Sequence, residues 1–145
     1  MTDGLDDESI RDILLHTRRI ALVGASANPA RPSFGVMDFL LRHGFDVVPV
    51  NPVLAGQRIL GRAVVADLAA AAPLDMVDLF RAPSHVGPVV AEAVALGART
   101  VWMQLGVVVE PAAALARAAG LRVAMDRCPA IEWARLGLHA GVRDA

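Results

Sequence analysis

Short apolar runs and amphipathic stretches alternate along almost the whole chain. The runs are "RIALVG", "DVVPVNP", "LDMVDLF", "ARTVWMQLG" and "LRVAMD". Each has the length of a strand and few polar interruptions, the pattern of strands covered on both faces. Pro49 is the discordant residue in the second run, because it lacks the N–H that a ladder uses. Between the runs the spacing turns helical. "SFGVMDFLLRHG" carries Phe34, Met37, Leu40 and Leu41 at helical intervals and stops at Gly44, a residue suited to a helix C-terminus. "PSHVGPVVAEAVALG" predicts a helix opening at Ser84 and ending at Gly97. "EPAAALARAAG" predicts one with proline in its first turn, and "CPAIEWARLG" a closing helix. "VLAGQRILGRAVVADLAAAA" reads as a loop and a short helix capped by Asp67.

Ahead of these elements, "DDESIRDILLHTRR" has its acids early and its bases late, as the helix dipole favours. Ile10, Ile13, Leu14 and Thr17 share one face, so this first helix is expected to pack on the domain. Five strands alternating with helices require right-handed crossovers. The expected fold is α/β: a Rossmann-like, doubly wound parallel sheet of about five strands with helices on both faces. It occupies residues 18–137 as one domain, preceded by a helical segment 1–17 and followed by a tail 138–145.

Composition narrows the function classes. At 145 residues and 55% hydrophobic the chain has enough length and apolar surface for a folded core. The net charge of −1 comes from scattered charges, and there is no tyrosine. A basic face and stacking aromatics are therefore missing, and nucleic acid is not an expected partner. The single cysteine, Cys128, rules out an internal disulfide, and no cluster of residues suggests a metal site. The acidic start "MTDGLDDESI" is the reverse of a signal peptide, and the apolar stretches are interrupted well before bilayer-spanning length. A cytoplasmic protein, with no membrane partner, is expected. Alanine-rich helices with an apolar exterior would also suit a homo-oligomer.

In sheets of this kind the ligand crevice lies beyond the carboxyl ends of the strands. The loop after the first strand is "GASANPARPS". Gly24 permits a tight turn, while Ala25 and Ser26 keep bulk away from a ligand. Ser26 and Ser33 offer hydroxyls, Arg31 a guanidinium, and the next helix its N-terminal N–H groups, all suited to a phosphate. A plain strand-to-helix turn with Ser33 as N-cap explains the same residues equally well. The spacing is not G-x-G-x-x-G, and Asn51 and Pro52 stand where a dinucleotide site usually has an acid for the ribose. An adenine nucleotide of another shape fits better than NAD.

The ordered motifs "VGASANPARPSFGV", "VVPVNPVLAGQRILG", "DMVDLFRAPSHV" and "VWMQLGV…AGLRVAMDRCPAIEW" resemble the stand-alone CoA-binding domain family. Its fold also forms the N-terminal domain of the succinyl-CoA synthetase alpha subunit. The resemblance spans residues 18–137 and implies coenzyme A or an acyl-CoA as the ligand. By position, it implies that Gly24, Ala25, Ser26, Pro32 and Ser33 cradle the phosphates. Asn51 and Pro52 border the adenosine end, where the synthetase domain has a lysine. That departure makes Arg31, Arg58 and Arg62 candidates for the 3′-phosphate. Arg81, Ala82 and Pro83 match a segment that packs on the ligand, and Gln104, Leu105 and Gly106 one that approaches the pantetheine. The synthetase's phosphorylated histidine belongs to a second domain absent from this sequence. None of His16, His43, His85 and His139 has a neighbour that suggests a nucleophile–base pair. The expected role is non-catalytic binding.

Two other readings stand beside it: a small NAD-type enzyme, and a partner-binding protein regulated through a thiol. Cys128 is the residue for the second, because it adjoins Arg127 near a helix start, where a thiol pKa falls. A buried, inert cysteine is the plainer account. Asp126 and Glu132 can serve it as acid and base, or simply cap the helix and pair with Arg127 and Arg135. Trp102 and Trp133 read as core. Replacing Gly24 with valine is expected to block the ligand while the fold survives.

Overall fold

The computed structural model describes residues 3–139. Five parallel strands form the sheet: β1 (Arg19–Val23), β2 (Asp46–Val50), β5 (Met76–Leu79), β6 (Thr100–Met103) and β7 (Arg122–Ala124). Their spatial order is β2-β1-β5-β6-β7. The helices are α1 (Asp7–His16), α2 (Pro32–Arg42), α3 (Leu68–Ala71), α4 (Pro83–Ala95), α5 (Glu110–Ala118) and α6 (Pro129–Arg135). The fold is therefore the expected Rossmann-like α/β sheet.

Alternate residues of each strand feed two separate cores. Ala21, Val23, Val77, Leu79, Val101 and Met103 join α3, α4 and α5 on one face. Ile20, Leu22, Met76 and Trp102 join α1, α2 and α6 on the other. This explains the near-continuous apolarity of the strands. The N-terminal helix inserts Ile10, Ile13 and Leu14 into the second core, with Thr17 buried beside them. Residues 140–145, most of the tail read from sequence, lie outside the described residues.

Pro49 is accommodated because β2 is an edge strand. Asp46 N–H donates to Arg18 and Gly24 N–H to the carbonyl of Val50, so the even-numbered residues of β2 face β1. Pro49 faces the open edge, where its carbonyl accepts from Val65 N–H at 3.0 Å. No ladder bond is lost.

The structure differs from the sequence reading in two places. The expected loop after β2 contains a hairpin, β3 (Arg58–Ile59) with β4 (Arg62–Ala63). Leu60 and Gly61 turn it with φ of 49° and 79°, and a leucine at positive φ gives no sequence signal. Helix α4 opens at Pro83 rather than Ser84, since proline's fixed φ suits the first helical position. The helix alanines divide between the two sides: Ala93, Ala112, Ala113 and Ala116 are buried, while Ala91, Ala95, Ala114 and Ala118 are exposed.

Candidate functional site

The chain leaves β1 toward β2 on one side and returns to β5 on the other, so strand order reverses between β1 and β5. At the carboxyl ends of this pair a cleft of about 1040 Å³ opens, the position expected for a ligand in such a sheet. Gly24, at the end of β1, has φ of +90°. A Cβ there would lie 2.3 Å from the carbonyl oxygen of Phe80. Glycine thus lets the backbones after β1 and β5 approach each other. A side chain would press on this contact itself, so Gly24→Val is expected to strain the fold as well as fill the cleft.

The loop after β1 is fastened from both sides. Gly24 and Ala25 both donate their N–H groups to the carbonyl of Val50, at 3.1 and 3.3 Å. These two donors are taken, so anion donors must come from further along. Ser26 Oγ accepts from Asn28 N–H at 3.0 Å, which leaves its own proton to donate. Helix α2 starts with Pro32 and has no side-chain cap; Arg31 is its N-cap residue. Ser33 is therefore not the cap. It is the second helical residue, buried, and on the cleft wall. An uncapped helix N-terminus facing a cleft favours an anion.

Asn51 ties the second loop to the first. Its amide nitrogen donates to Ala25 O at 2.8 Å, and its oxygen accepts from Val53 N–H at 2.8 Å and Leu54 N–H at 3.4 Å. The side chain shapes the cleft and sets Val53 and Leu54 on its rim.

The structure brings Gly24, Ala25, Ser26, Arg31, Pro32, Ser33, Asn51, Arg81, Gln104 and Leu105 to the cleft wall. Pro52, Ala82, Pro83 and Gly106 flank it but do not line it. Gly106 instead donates its N–H to Asp126 at 2.7 Å, tying the loop after β6 to that after β7. Arg58 and Arg62 also stand off the wall. Arg58 donates to Gly61 O at 2.8 Å, while Arg62 pairs with Asp46 and donates to Val47 O. Arg31 and Arg81 are the charged residues of the lining, and neither guanidinium forms an ion pair among the described residues. Among the described residues no carboxylate lines the cleft.

Sequence reasoning did not assign the apolar lining: Val36 and Phe39 from α2, Val53 and Leu54 after β2, Phe80, Val107, and Ala130 and Ile131 from α6. The helical spacing of Val36 and Phe39 was the available signal, but it reads equally as core. Cys128 is the N-cap residue of α6, buried and on the cleft wall. Asp126 and Glu132 are engaged away from its sulfur, by Gly106 N–H and by Arg127 and Arg135. His43 Nδ1 donates to Phe39 O at 2.7 Å and its ring stacks on Phe39.

Beneath the cleft, Asp78 of β5 lies in register with Leu22 and Trp102 and is fully buried. Burial pushes its carboxyl well above the usual range. With the Gln104 amide nitrogen turned toward it, Gln104 donates to Asp78 Oδ1 at 2.9 Å.

Among the described residues no helix is long and apolar enough to cross a membrane, and no three His, Cys, Asp or Glu side chains are grouped to hold a metal.

Comparison with known proteins agrees with this geometry. The chain is 34% identical to the protein YneT of Bacillus subtilis strain 168 over 120 residues, 82% of this chain and 87% of that one. A hypothetical protein from Pyrococcus horikoshii OT3 superposes with a TM-score of 0.89 at 40% identity, over 94% of this chain and 95% of the other. The dinucleotide-forming acetyl-coenzyme A synthetase 1 of Ca. Korarchaeum cryptofilum shares the fold, with a TM-score of 0.71 at 19% identity. That match covers 91% of this chain and 29% of the synthetase. The family model for the CoA binding domain matches residues 18–134, so the chain belongs to the CoA-binding domain family.

Proposed function

We propose that this protein holds coenzyme A or an acyl-CoA in the cleft without catalysing a reaction on it. The observation that carries this reading is the charge pattern of the wall. Two unpaired guanidiniums and an uncapped helix N-terminus stand at a cleft with no carboxylate in its lining. That arrangement suits a polyphosphate. Ser26, Ser33 and Arg31 are assigned to the phosphates, and Val53 and Leu54 to the edge of the adenine. Arg31 takes over as candidate for the 3′-phosphate, since Arg58 and Arg62 are engaged elsewhere. The NAD reading loses ground because the Asn51 amide is occupied by Ala25, Val53 and Leu54 and is not an acid.

Isothermal titration with CoA, NAD and ATP tests the proposal. Saturable binding of CoA, with NAD and ATP much weaker, is expected. Silence toward CoA from ligand-free protein would overturn it. Arg31→Ala should weaken CoA by about tenfold, as the loss of a charge-assisted hydrogen bond does, and leave pantetheine nearly unaffected. Equal losses for both ligands would remove Arg31 from the phosphate role.

A further inference from the structure

The two ends of the cleft differ in chemistry. The end at β1 and α2 holds Ser26, Arg31 and Ser33. The far end, beyond β6 and β7, is built from Leu105 and Val107 after β6 and Ala130 and Ile131 of α6; Val36 and Phe39 of α2 and Phe80 and Arg81 after β5 add to the lining. Leu105 and Ile131 are 56% and 54% exposed. Water-facing leucine and isoleucine are ordinary when scattered, but here two flank one cleft.

Leu105 is also held rigidly in that exposed position. Its turn is closed by Val107 N–H donating to Gln104 O at 2.8 Å, and braced by the Gly106–Asp126 bond. Gly106 and Asp126 both have positive φ, 80° and 56°, and an aspartate in that region is uncommon. The loop after β7 is tied back by Arg127 N–H donating to Met103 O at 3.3 Å. Such bracing sets an apolar surface in place before any ligand arrives.

We propose that this end is an acyl-chain subsite, so the ligand is an acyl-CoA with an apolar acyl group rather than free CoA. The inference rests on the CoA reading and extends it. With the phosphates at β1, the loops after β6 and β7 lie two to three strand spacings away, roughly 10 to 14 Å along the sheet edge. An extended pantetheine arm runs in that direction and delivers its thioester to Leu105 and Ile131. A thiol would leave both side chains in water; an alkyl chain covers them. Among the described residues, the loops after β6 and β7 and helix α6 add no cation to the lining, and Arg81, after β5, lies one strand nearer the phosphates, so a carboxylate-bearing acyl group gains no partner from that end.

Titration with CoA, octanoyl-CoA and succinyl-CoA tests this on the wild-type chain and on the variant Leu105→Asn/Ile131→Asn, with folding checked by circular dichroism. Octanoyl-CoA is expected to bind at least about tenfold tighter than CoA, the return on covering a few methylenes. Succinyl-CoA should show no such gain. In the variant the ratio of CoA to octanoyl-CoA dissociation constants should fall to within about twofold. Equal affinity for CoA and octanoyl-CoA in the wild-type chain overturns the subsite and leaves the CoA reading intact. A preference that persists in the variant also overturns the placement. Binding of none of the three overturns both proposals. Because both side chains are exposed, the variant keeps its core, and the succinyl-CoA comparison stands without any mutation.

Discussion

Two buried ionisable groups, both beside Trp102, are handled in opposite ways. Arg127 is surrounded by partners. Its guanidinium donates to Asp3 at 2.6 and 3.0 Å, to Glu132 at 2.8 Å and to Leu5 O at 2.9 Å. Asp78, in the middle of the sheet, meets the Gln104 amide and no cation. One site neutralises its charge by pairing; at the other, burial raises the carboxyl's pKa and favours its protonated form. The paired site is also a fastener. Through Asp3 it ties the N-terminal segment to the loop before α6, and Arg135 adds bonds to Glu132 and to Asp7 of α1. Cys128, Ala130 and Ile131 of the cleft wall follow directly on Arg127. The fastener therefore positions one side of the cleft, while Asp78 acts beneath it on Gln104 alone.

The largest way to break that contrast is Arg127→Met. It keeps much of the side-chain volume but leaves the buried Asp3 carboxyl without its cation and Glu132 with Arg135 alone. Removing one partner of a buried ion pair costs about 3–5 kcal/mol, and urea denaturation at pH 7 should show a loss of that order. A loss under about 1 kcal/mol would mean that water or rearrangement replaces the pairing. Gly24→Ala belongs in the same range for a different reason. It combines a positive φ of +90° with a 2.3 Å approach to Phe80 O. Strain and overpacking each cost about 1–3 kcal/mol, so a melting temperature unchanged by this variant would contradict the close approach.

Asp3→Asn has a smaller effect with a defined pH dependence. Burial pushes the Asp3 carboxyl up, but hydrogen bonds from Arg127 and from the N–H groups of Leu5 and Met125 outweigh it. The net result lies below the ordinary value of 3.8. A lowered folded-state pKa contributes stability above the unfolded value and loses it as pH falls through the folded one. The wild-type advantage over Asp3→Asn, about 1–3 kcal/mol at pH 7 for a charged hydrogen-bonded partner, should therefore shrink as pH falls below about 4. An advantage constant down to pH 2 would show that the carboxylate charge is not what matters at Asp3.

These sites mark how far the sequence could be read. Strand and helix positions were legible because both faces of every sheet strand are buried, and burial prints itself as apolar runs. The β1 end of the cleft wall was legible because Gly24, Arg31 and Ser33 follow immediately after a strand, where such a sheet opens its crevice. The roles within it were less so. Asn51 as a clip and Gly24 as a contact for Phe80 depend on backbone partners about 26 and 56 positions away. The apolar lining was missed because Val36 and Phe39 look like core in any periodic pattern. The Arg127 cluster joins residues 3 and 127, a pairing that no local spacing reveals.

Asp78→Asn is the smallest change and the sharpest test of the contrast. Asparagine keeps the shape and can still meet the Gln104 amide, so no cavity or lost contact confuses the result. Burial raises the carboxyl's folded-state pKa, while in the unfolded chain it ionises near 3.8. Above that pH the folded state binds the extra proton, and the stability this group contributes falls as pH rises toward the folded pKa. The sign is opposite to that of Asp3. The variant has no proton to keep, so its stability relative to the wild type should rise between pH 5 and pH 8. Urea denaturation of the two proteins at those pH values reads the difference directly. A gap that does not change with pH would mean that Asp78 is ionised in the folded protein and stabilised by a partner. The two buried charges would then be handled alike, and Gln104 would be held by a carboxylate rather than by a neutral acid.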